Sequence, residues 1–321
     1  MPELLGVPRV PTVRRTLIAL ALTVVAVCSV VALRAQTHYD SGQNVVPVYE
    51  GWEKNADGSF TMVFGYMNRN YEEELDIPVG PDNKFETLTG GPNGVATEPR
   101  VADQGQPTHF YTRRQQFMFR VKVPKDWGNK DFVWTLTSRG KTEKAYGSLW
   151  PVWEIDFHVY QQNRAGPGEL GEKDEAPTIS LVGSPTRTIK VGQPLAVAVT
   201  VKDDGLPTPR ATRSGSATGG AAAVGAGRGA AAQTTVAPAR ENPTSQGVVR
   251  LDPGMGLGVV WVVHRRPGPS DVRFEPAKAK VASGQASTSV TFDKPGTYVL
   301  RGYADDGVLL DSTDVTVTVT P

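Results

Sequence analysis

The chain has 321 residues, with 34 Lys and Arg against 33 Asp and Glu, and its net charge of +1 gives no global field for binding nucleic acid or an anionic membrane. The one cysteine, Cys28, lies in an apolar N-terminal stretch, which excludes cysteine nucleophiles, thiolate metal sites and redox pairs from the rest of the chain. The 34 glycines and 25 prolines, together with many β-branched runs, indicate short strands joined by turns.

Residues 1–35 have the pattern of an export signal. Arg14 and Arg15 precede an uncharged run over residues 16–33, and alanines near its end offer cleavage points. Because the run nearly reaches the ~20 residues that cross a bilayer, an uncleaved inner-membrane anchor helix is an alternative to a cleaved signal peptide. Both interpretations predict export, so that the rest of the chain is periplasmic, exposed at the cell surface or secreted.

Residues 43–160 are predicted to form a first all-β domain. Alternating apolar and polar residues predict strands at 45–52, 59–68, 116–123, 131–138 and 144–150. In the third of these, Phe117 is expected to face the core and Met118 to face outward. The Pro- and Gly-rich stretch 78–106 predicts loops with at most short edge strands.

The strands that contain Gly51-Trp52 and Phe64-Gly65-Tyr66 look like those of exported bacterial proteins. This resemblance supports export and implies no activity. The many Phe and Trp side chains of this domain are what an antiparallel sandwich of roughly 100 residues needs to fill its core.

A Gly-rich, charged linker is predicted over 161–176, and a second β-sandwich over 177–321. Its predicted strands are 195–202, 259–263, 287–292, 298–304 and 315–320, each with one apolar and one polar face, so that each sheet is expected to have one dry side. Residues 208–246 are rich in Ala and Gly, and small side chains bury too little apolar area to offset chain entropy. A disordered insertion within the second domain is therefore expected there.

The sequence from Asp293 to Leu300, DKPGTYVL, is followed by Ala304-Asp305-Asp306-Gly307 and a terminal Val-Thr repeat. This pattern resembles polycystic-kidney-disease-like and related bacterial immunoglobulin-like modules. The resemblance implies an antiparallel immunoglobulin-like β-sandwich of the extracellular spacer or adhesion type. It also implies that Tyr298 is a buried corner tyrosine whose hydroxyl binds upstream backbone, and that Trp261 is an inward tryptophan.

Aspartates near strand ends of the second domain are candidate calcium ligands, because calcium takes six to eight oxygen ligands. The candidates lie in turns, where Asp-Gly turn chemistry explains them equally well; they are Asp203, Asp204, Asp305 and Asp306. No other metal and no cofactor is predicted, since the four histidines, His38, His109, His158 and His264, lack the spacing of a zinc site.

A polar and aromatic patch of the first domain supplies candidate ligand-binding residues, namely His109, Tyr111, Arg113 and Arg114. Aromatic rings beside arginines can stack on sugars or hold carboxylates. A strand that enters the core with its arginines on the wet face explains the same residues. Glu72, Glu73 and Glu74 are interpreted as a solvated loop.

No nucleophile elbow and no phosphate-binding glycine loop is present, so the sequence carries no catalytic constellation. The leading hypothesis is a non-enzymatic interaction or spacer protein of the cell envelope or the extracellular space. A carbohydrate-binding protein and a calcium-stabilised adhesin are the alternatives. The expected partner is a cell-surface protein or a glycan, without nucleic acid, and membrane contact is expected only through the N-terminal segment.

Overall fold

Two β-sandwiches follow one another in the computed structural model, which describes residues 39–90, 94–96, 103–165, 174–207, 248–251 and 255–321. The predicted export or anchor helix, the middle of the predicted linker and the Ala/Gly-rich insertion lie outside these residues. Among the helices within them, none combines the length and the apolar character that a membrane span requires.

The described residues of the first sandwich form nine strands, all paired antiparallel. They are β1 (Val45–Lys54), β2 (Phe60–Asn68), β3 (Leu75–Asp76), β4 (Asn83–Thr89), β5 (Val95–Ala96), β6 (His109–Phe110), β7 (Arg113–Val123), β8 (Lys130–Ser138) and β9 (Lys141–Gly147). One sheet has the order β1-β2-β7, the facing sheet has the order β5-β4-β8-β9, and β3 pairs with β6. This is the Greek-key arrangement of an immunoglobulin-like sandwich.

Strand β4 lies inside its sheet, between β5 and β8. The prediction of loops and short edge strands over 78–106 was therefore wrong at this point. The alternation was hidden because a buried inward position is occupied by Asn83, whose amide donates to the carbonyls of Ile77 and Pro107 and accepts from the Trp134 indole. Phe85, two residues later, is fully buried.

Aromatic rings fill the core of the first sandwich. The rings of Phe85 and Phe132 stack with centroids 4.5 Å apart, and Phe119 meets Trp134 edge-on at 4.9 Å. Such pairs contribute about 0.5–1.5 kcal/mol each beyond their area burial. The large aromatic content noted in the sequence thus has a structural role.

A β-bulge changes the faces of strand β7. The pairing with β2 shifts between Phe64 and Tyr66, and Phe117 has a φ of 54°. At the bulge the period-two alternation is broken, and it resumes from Phe119 onward. As a result Phe117 packs against Tyr160 outside the main core and Met118 is buried in the main cluster, so the predicted faces of these two residues were wrong.

A helical connection leads out of the first sandwich. A 3₁₀ turn spans Pro151–Trp153, helix α1 spans Phe157–Tyr160, and a π-helical turn spans Gln161–Ala165. The side chain of Asp156 caps α1 by accepting from the Val159 N–H at 3.0 Å.

The part of the second sandwich that the structure describes also contains nine strands. They are β10 (Thr178–Leu181), β11 (Thr186–Lys190), β12 (Leu195–Lys202), β13 (Gly258–Arg265), β14 (Val272–Glu275), β15 (Lys278–Lys280), β16 (Gln285–Phe292), β17 (Gly296–Asp305) and β18 (Leu310–Thr320). The sheets have the orders β10-β12-β16-β14 and β11-β18-β17-β13-β15. All pairs are antiparallel except β11 with β18.

The strand order identifies the second sandwich as immunoglobulin-like. In the strand letters used for immunoglobulin domains, the sheet β10-β12-β16-β14 has the order A-B-E-D, and β18-β17-β13 in the other sheet has the order G-F-C. The Tyr298 ring is fully buried and its hydroxyl donates to the carbonyl of Lys294 at 2.9 Å. Trp261 is buried in the core between the sheets. The expected corner tyrosine and inward tryptophan are both confirmed.

Strand β13 is buried on both faces. Val259, Trp261 and Val263 face the core of the second sandwich, whereas Val260 and Val262 belong to the apolar cluster of the first. The expectation of one dry and one wet side was therefore wrong for this strand, because its outer face is covered by the first sandwich.

Candidate functional site

The junction between the sandwiches is built around the end of strand β13. Strand β15 pairs with three residues of β13, ending at Val260, and no other described strand pairs with the rest of that edge. Residues of the first sandwich occupy it. The Thr108 N–H donates to the His264 carbonyl at 3.1 Å, and the Val263 N–H donates to the Tyr111 hydroxyl oxygen at 2.8 Å.

Two consecutive arginines at the end of β13 extend this junction. Arg265 forms a bidentate ion pair with Asp103 at 2.6 and 2.9 Å, and Arg266 donates to Asp76 at 2.7 Å. Hydrogen bonds from Arg265 lower the pKa of Asp103. Burial opposes ionisation of Asp76, but hydrogen bonds from His109 and Arg266 outweigh it and lower its pKa.

His109 lies buried between two carboxylates. Its Nδ1 is 3.0 Å from Asp76 and its Nε2 is 3.0 Å from Glu74. The Tyr111 ring meets the imidazole edge-on with centroids 4.5 Å apart. Through Asp76, which also accepts from Arg266, the histidine becomes part of a polar network that crosses the junction.

A second histidine and a buried ion pair complete the junction. His264 Nε2 is 2.7 Å from the Gly105 carbonyl, and burial lowers the pKa of this histidine to about 3. Arg164, in the π-helical turn, donates to Asp305 of β17 at 2.6 Å, and both side chains are almost fully buried. Ser41–Pro321 accordingly group as one compact unit.

An open cleft of about 570 Å³ lies at this junction. Its polar lining includes Glu74, His109, Arg266, Ser270 and Lys294. The Ser270 hydroxyl is buried without a hydrogen-bond partner among the described residues. A cleft with mixed charges and an unpaired hydroxyl can receive a small polar molecule.

The structure brings two of the four predicted ligand-binding residues to this cleft, His109 and Tyr111. Arg114 instead donates from one guanidinium nitrogen to both carboxylate oxygens of Glu50, at 2.7 Å to each. Arg113 lies over the Tyr71 ring, 3.9 Å from its centroid. The two arginines thus contact other parts of the first sandwich.

Other lining residues of the cleft, Glu74, Arg266 and Lys294, were not predicted. The signal for Arg266 was the charged pair Arg265-Arg266 at the end of β13, shortly after the apolar run of that strand. Glu74 had been interpreted as part of a solvated loop; its carboxylate contacts the buried His109. No sequence signal connects Lys294, in the turn before β17, to this place.

The predicted calcium ligands lie at the end of the second sandwich where the chain enters it. Asp305 forms an ion pair with Arg164, whereas Asp203 and Asp306 each have a buried carboxylate oxygen with no hydrogen-bond partner among the described residues. Asp204 accepts from the backbone N–H groups of Leu206 and Glu175. Within the described residues, no three His, Cys, Asp or Glu side chains stand ready as one set of metal ligands.

The 3₁₀ turn after β9 exposes three large apolar side chains. Trp150, Val152 and Trp153 are 69%, 79% and 47% exposed. Two contacts hold the turn in place. Trp52 donates its indole N–H to the Trp150 carbonyl at 2.8 Å, and the ring centroids of Tyr49 and Trp153 are 5.9 Å apart. We refer to this surface as the tryptophan turn.

The fold and the junction define a pair of immunoglobulin-like β-sandwiches joined as one body. No family model matches the chain, and no curated protein matches it. Among solved structures it is similar to a chimeric titin Z1Z2 functionalised with a decorin peptide, at 8% identity over 87% of this chain and 99% of that chain, with a TM-score of 0.24.

Two further solved structures give comparable values. Domains 4 and 5 of the S-layer protein SbsC align at 12% identity over 75% of this chain and 78% of that chain, with a TM-score of 0.24. Immunoglobulin domains 1–5 of Sidekick-1 align at 11% identity over 87% of this chain and 40% of that chain, with a TM-score of 0.22. At these scores the likeness carries no argument, and the immunoglobulin-like assignment rests on the strand order.

Proposed function

We propose that this chain is a non-enzymatic interaction or spacer protein, exported to the cell envelope or beyond, whose two sandwiches act as one rigid body. The junction is the observation that supports this proposal. Tandem domains move relative to one another by default unless their interface is large and apolar. Here an apolar cluster shared by both sandwiches is closed by backbone hydrogen bonds and ion pairs, so a fixed geometry is expected.

Distance distributions between spin labels test the rigidity on which this proposal depends. With Cys28 replaced by serine, labels are placed at the exposed Lys144 of the first sandwich and Lys280 of the second. We expect one narrow distance distribution, as narrow as that of a control pair, Lys125 and Lys144, within the first sandwich. A broad distribution for the pair across the junction would overturn the rigid-spacer proposal.

The tryptophan turn supports a second candidate function, the binding of a glycan. Two exposed indoles on a turn that is already fixed lose little conformational entropy on binding, and a flat aromatic face stacks on the C–H face of a sugar ring.

Retention on insoluble polysaccharides tests this candidate. We expect Trp150→Ala to abolish retention of the full chain, and Tyr39→Ala, at another exposed aromatic residue, to leave it unchanged. If the unaltered chain is not retained, the glycan candidate is excluded and the spacer proposal is unaffected.

A further inference from the structure

The tryptophan turn gathers three of the six large apolar side chains that are exposed among the described residues. Exposed apolar residues that are scattered singly are normal, whereas a contiguous group marks an interaction site. The Trp153 N–H donates to the Trp150 carbonyl at 2.9 Å, which closes residues 150–153 into one turn. The two indole-bearing residues therefore stand one turn apart, with Val152 between them.

Two carboxylates follow the second indole along the chain. Glu154 and Asp156 both have an extended backbone, and Ile155 between them is buried. The Ile155 N–H donates to the Trp52 carbonyl at 2.8 Å, which fixes this short extended segment against β1. Because successive side chains of an extended segment point to opposite faces, Glu154 and Asp156 share the outer face, where both are exposed.

The negative charge of these two carboxylates is not balanced by neighbouring cations of the chain. The sequence has no lysine or arginine between Lys144 and Arg164, and Arg164 is itself paired with a buried aspartate. On the adjacent strand β7, Arg114 and Arg120 are paired with glutamates of β1. The tryptophan turn is therefore an exposed aromatic surface with a local negative charge beside it.

We propose that the tryptophan turn binds a glycan whose sugar units carry free amino groups; this inference rests on the glycan candidate above and names its ligand class. An amino sugar has a C–H face that stacks on an indole and an ammonium group at the ring edge, which an adjacent carboxylate attracts. The indole face also attracts a cation directly. A glycan with carboxylates or phosphates would instead meet like charges.

Retention of the full chain on cross-linked chitosan and on chitin tests this selection, because the two polymers differ in the acetylation of their amino groups. At about pH 6 exposed carboxylates are ionised and the amines of chitosan carry positive charge. Since exposed ion pairs are weak individually, we expect two of them to make binding to chitosan about fivefold tighter than to chitin. Salt at about 1 M should remove most of this preference by screening. The net charge of +1 gives the chain no general attraction for a polycation.

A double variant, Glu154→Gln with Asp156→Asn, isolates the role of the two carboxylates. Asparagine keeps the cap of helix α1, because its amide oxygen accepts from the Val159 N–H as the aspartate does. We expect this variant to bind chitosan no more tightly than chitin and to keep its retention on chitin. The matched control is Glu72→Gln with Asp126→Asn, at exposed positions in other loops of the first sandwich. It makes the same change in net charge and should keep the preference for chitosan.

The outcomes separate this inference from the glycan candidate on which it rests. Trp150→Ala should lose retention on both polymers. Equal retention of the unaltered chain on chitin and chitosan, or a preference that survives in the double variant, would overturn the charge selection and leave the glycan candidate standing. Retention on neither polymer would also overturn it, and other insoluble polysaccharides then decide the glycan candidate. Elution by a lysine hexamer as effective as elution by a glucosamine hexamer would overturn it in favour of a basic peptide.

Discussion

The Tyr111 hydroxyl oxygen of the first sandwich lies 2.8 Å from the backbone nitrogen of Val263 in the second. Val263 is in the part of β13 that β15 does not reach, where an open edge would otherwise expose unpaired backbone groups. The first sandwich thus covers a strand edge with side-chain and backbone groups, and the same contact fixes the relative position of the two sandwiches.

Replacing Tyr111 by phenylalanine removes this acceptor and leaves the Val263 N–H unpaired in the junction. We expect a loss of about 1–2 kcal/mol in the free energy of unfolding, measured by urea denaturation. The control is Tyr39→Phe, at a half-exposed ring, which should change the stability by less than about 0.5 kcal/mol. Equal stabilities for both variants would show that water replaces the hydroxyl and that the junction is open there.

The buried pair of Arg164 and Asp305 predicts strong coupling between the two side chains. Arg164→Met leaves the Asp305 carboxylate buried without its cation, which should cost about 3–5 kcal/mol. Adding Asp305→Asn removes that charge, so the double variant should be more stable than Arg164→Met alone. A double-mutant cycle measured by denaturant unfolding checks this, and additive effects of the two substitutions would contradict it.

Much of the fold could be predicted from the sequence because alternation and turn residues are local signals. The corner role of Tyr298 and the inward position of Trp261 came from the resemblance and are found in the structure. Strand β4 was missed because Asn83 places a polar side chain in the core. The faces of Phe117 and Met118 were misassigned because a bulge is set by pairing with a distant strand.

The site was harder to predict because it depends on contact between the sandwiches. His109 and Tyr111 were identified as a patch, but nothing in the sequence around them shows that Arg266, more than 150 positions later, lies in the same cleft. The both-sided burial of β13 had a local signal, its unbroken apolar run, which indicates a strand covered on two faces.

Gly302 of β17 is opposite Trp261 of β13. A Cβ atom at position 302 would lie 2.9 Å from the indole ring, closer than van der Waals contact. Gly302→Ala should therefore force the buried tryptophan aside and cost about 1–3 kcal/mol, seen as a lower Tm. Gly268→Ala is the control, since no atom lies within 4 Å of its added Cβ. A Gly302→Ala chain as stable as that control would show that the core adapts without strain.

The raised pKa of Asp306 predicts a pH dependence of stability in the absence of added cations. Its carboxyl ionises at about 7 in the folded chain, against a reference value of 3.8. The folded state therefore holds a proton that the unfolded state has released, and this contribution to stability is lost as the pH rises from about 4 to about 7.

His264 acts in the opposite sense, because burial lowers its pKa to about 3 and its protonation opposes folding as the pH falls. Comparing unfolding free energies of the unaltered chain and Asp306→Asn in chelator cancels the histidine contribution, since both retain it. We expect the variant to gain stability relative to the unaltered chain across this interval, and a difference that stays constant with pH would mean that Asp306 ionises like an exposed carboxylate.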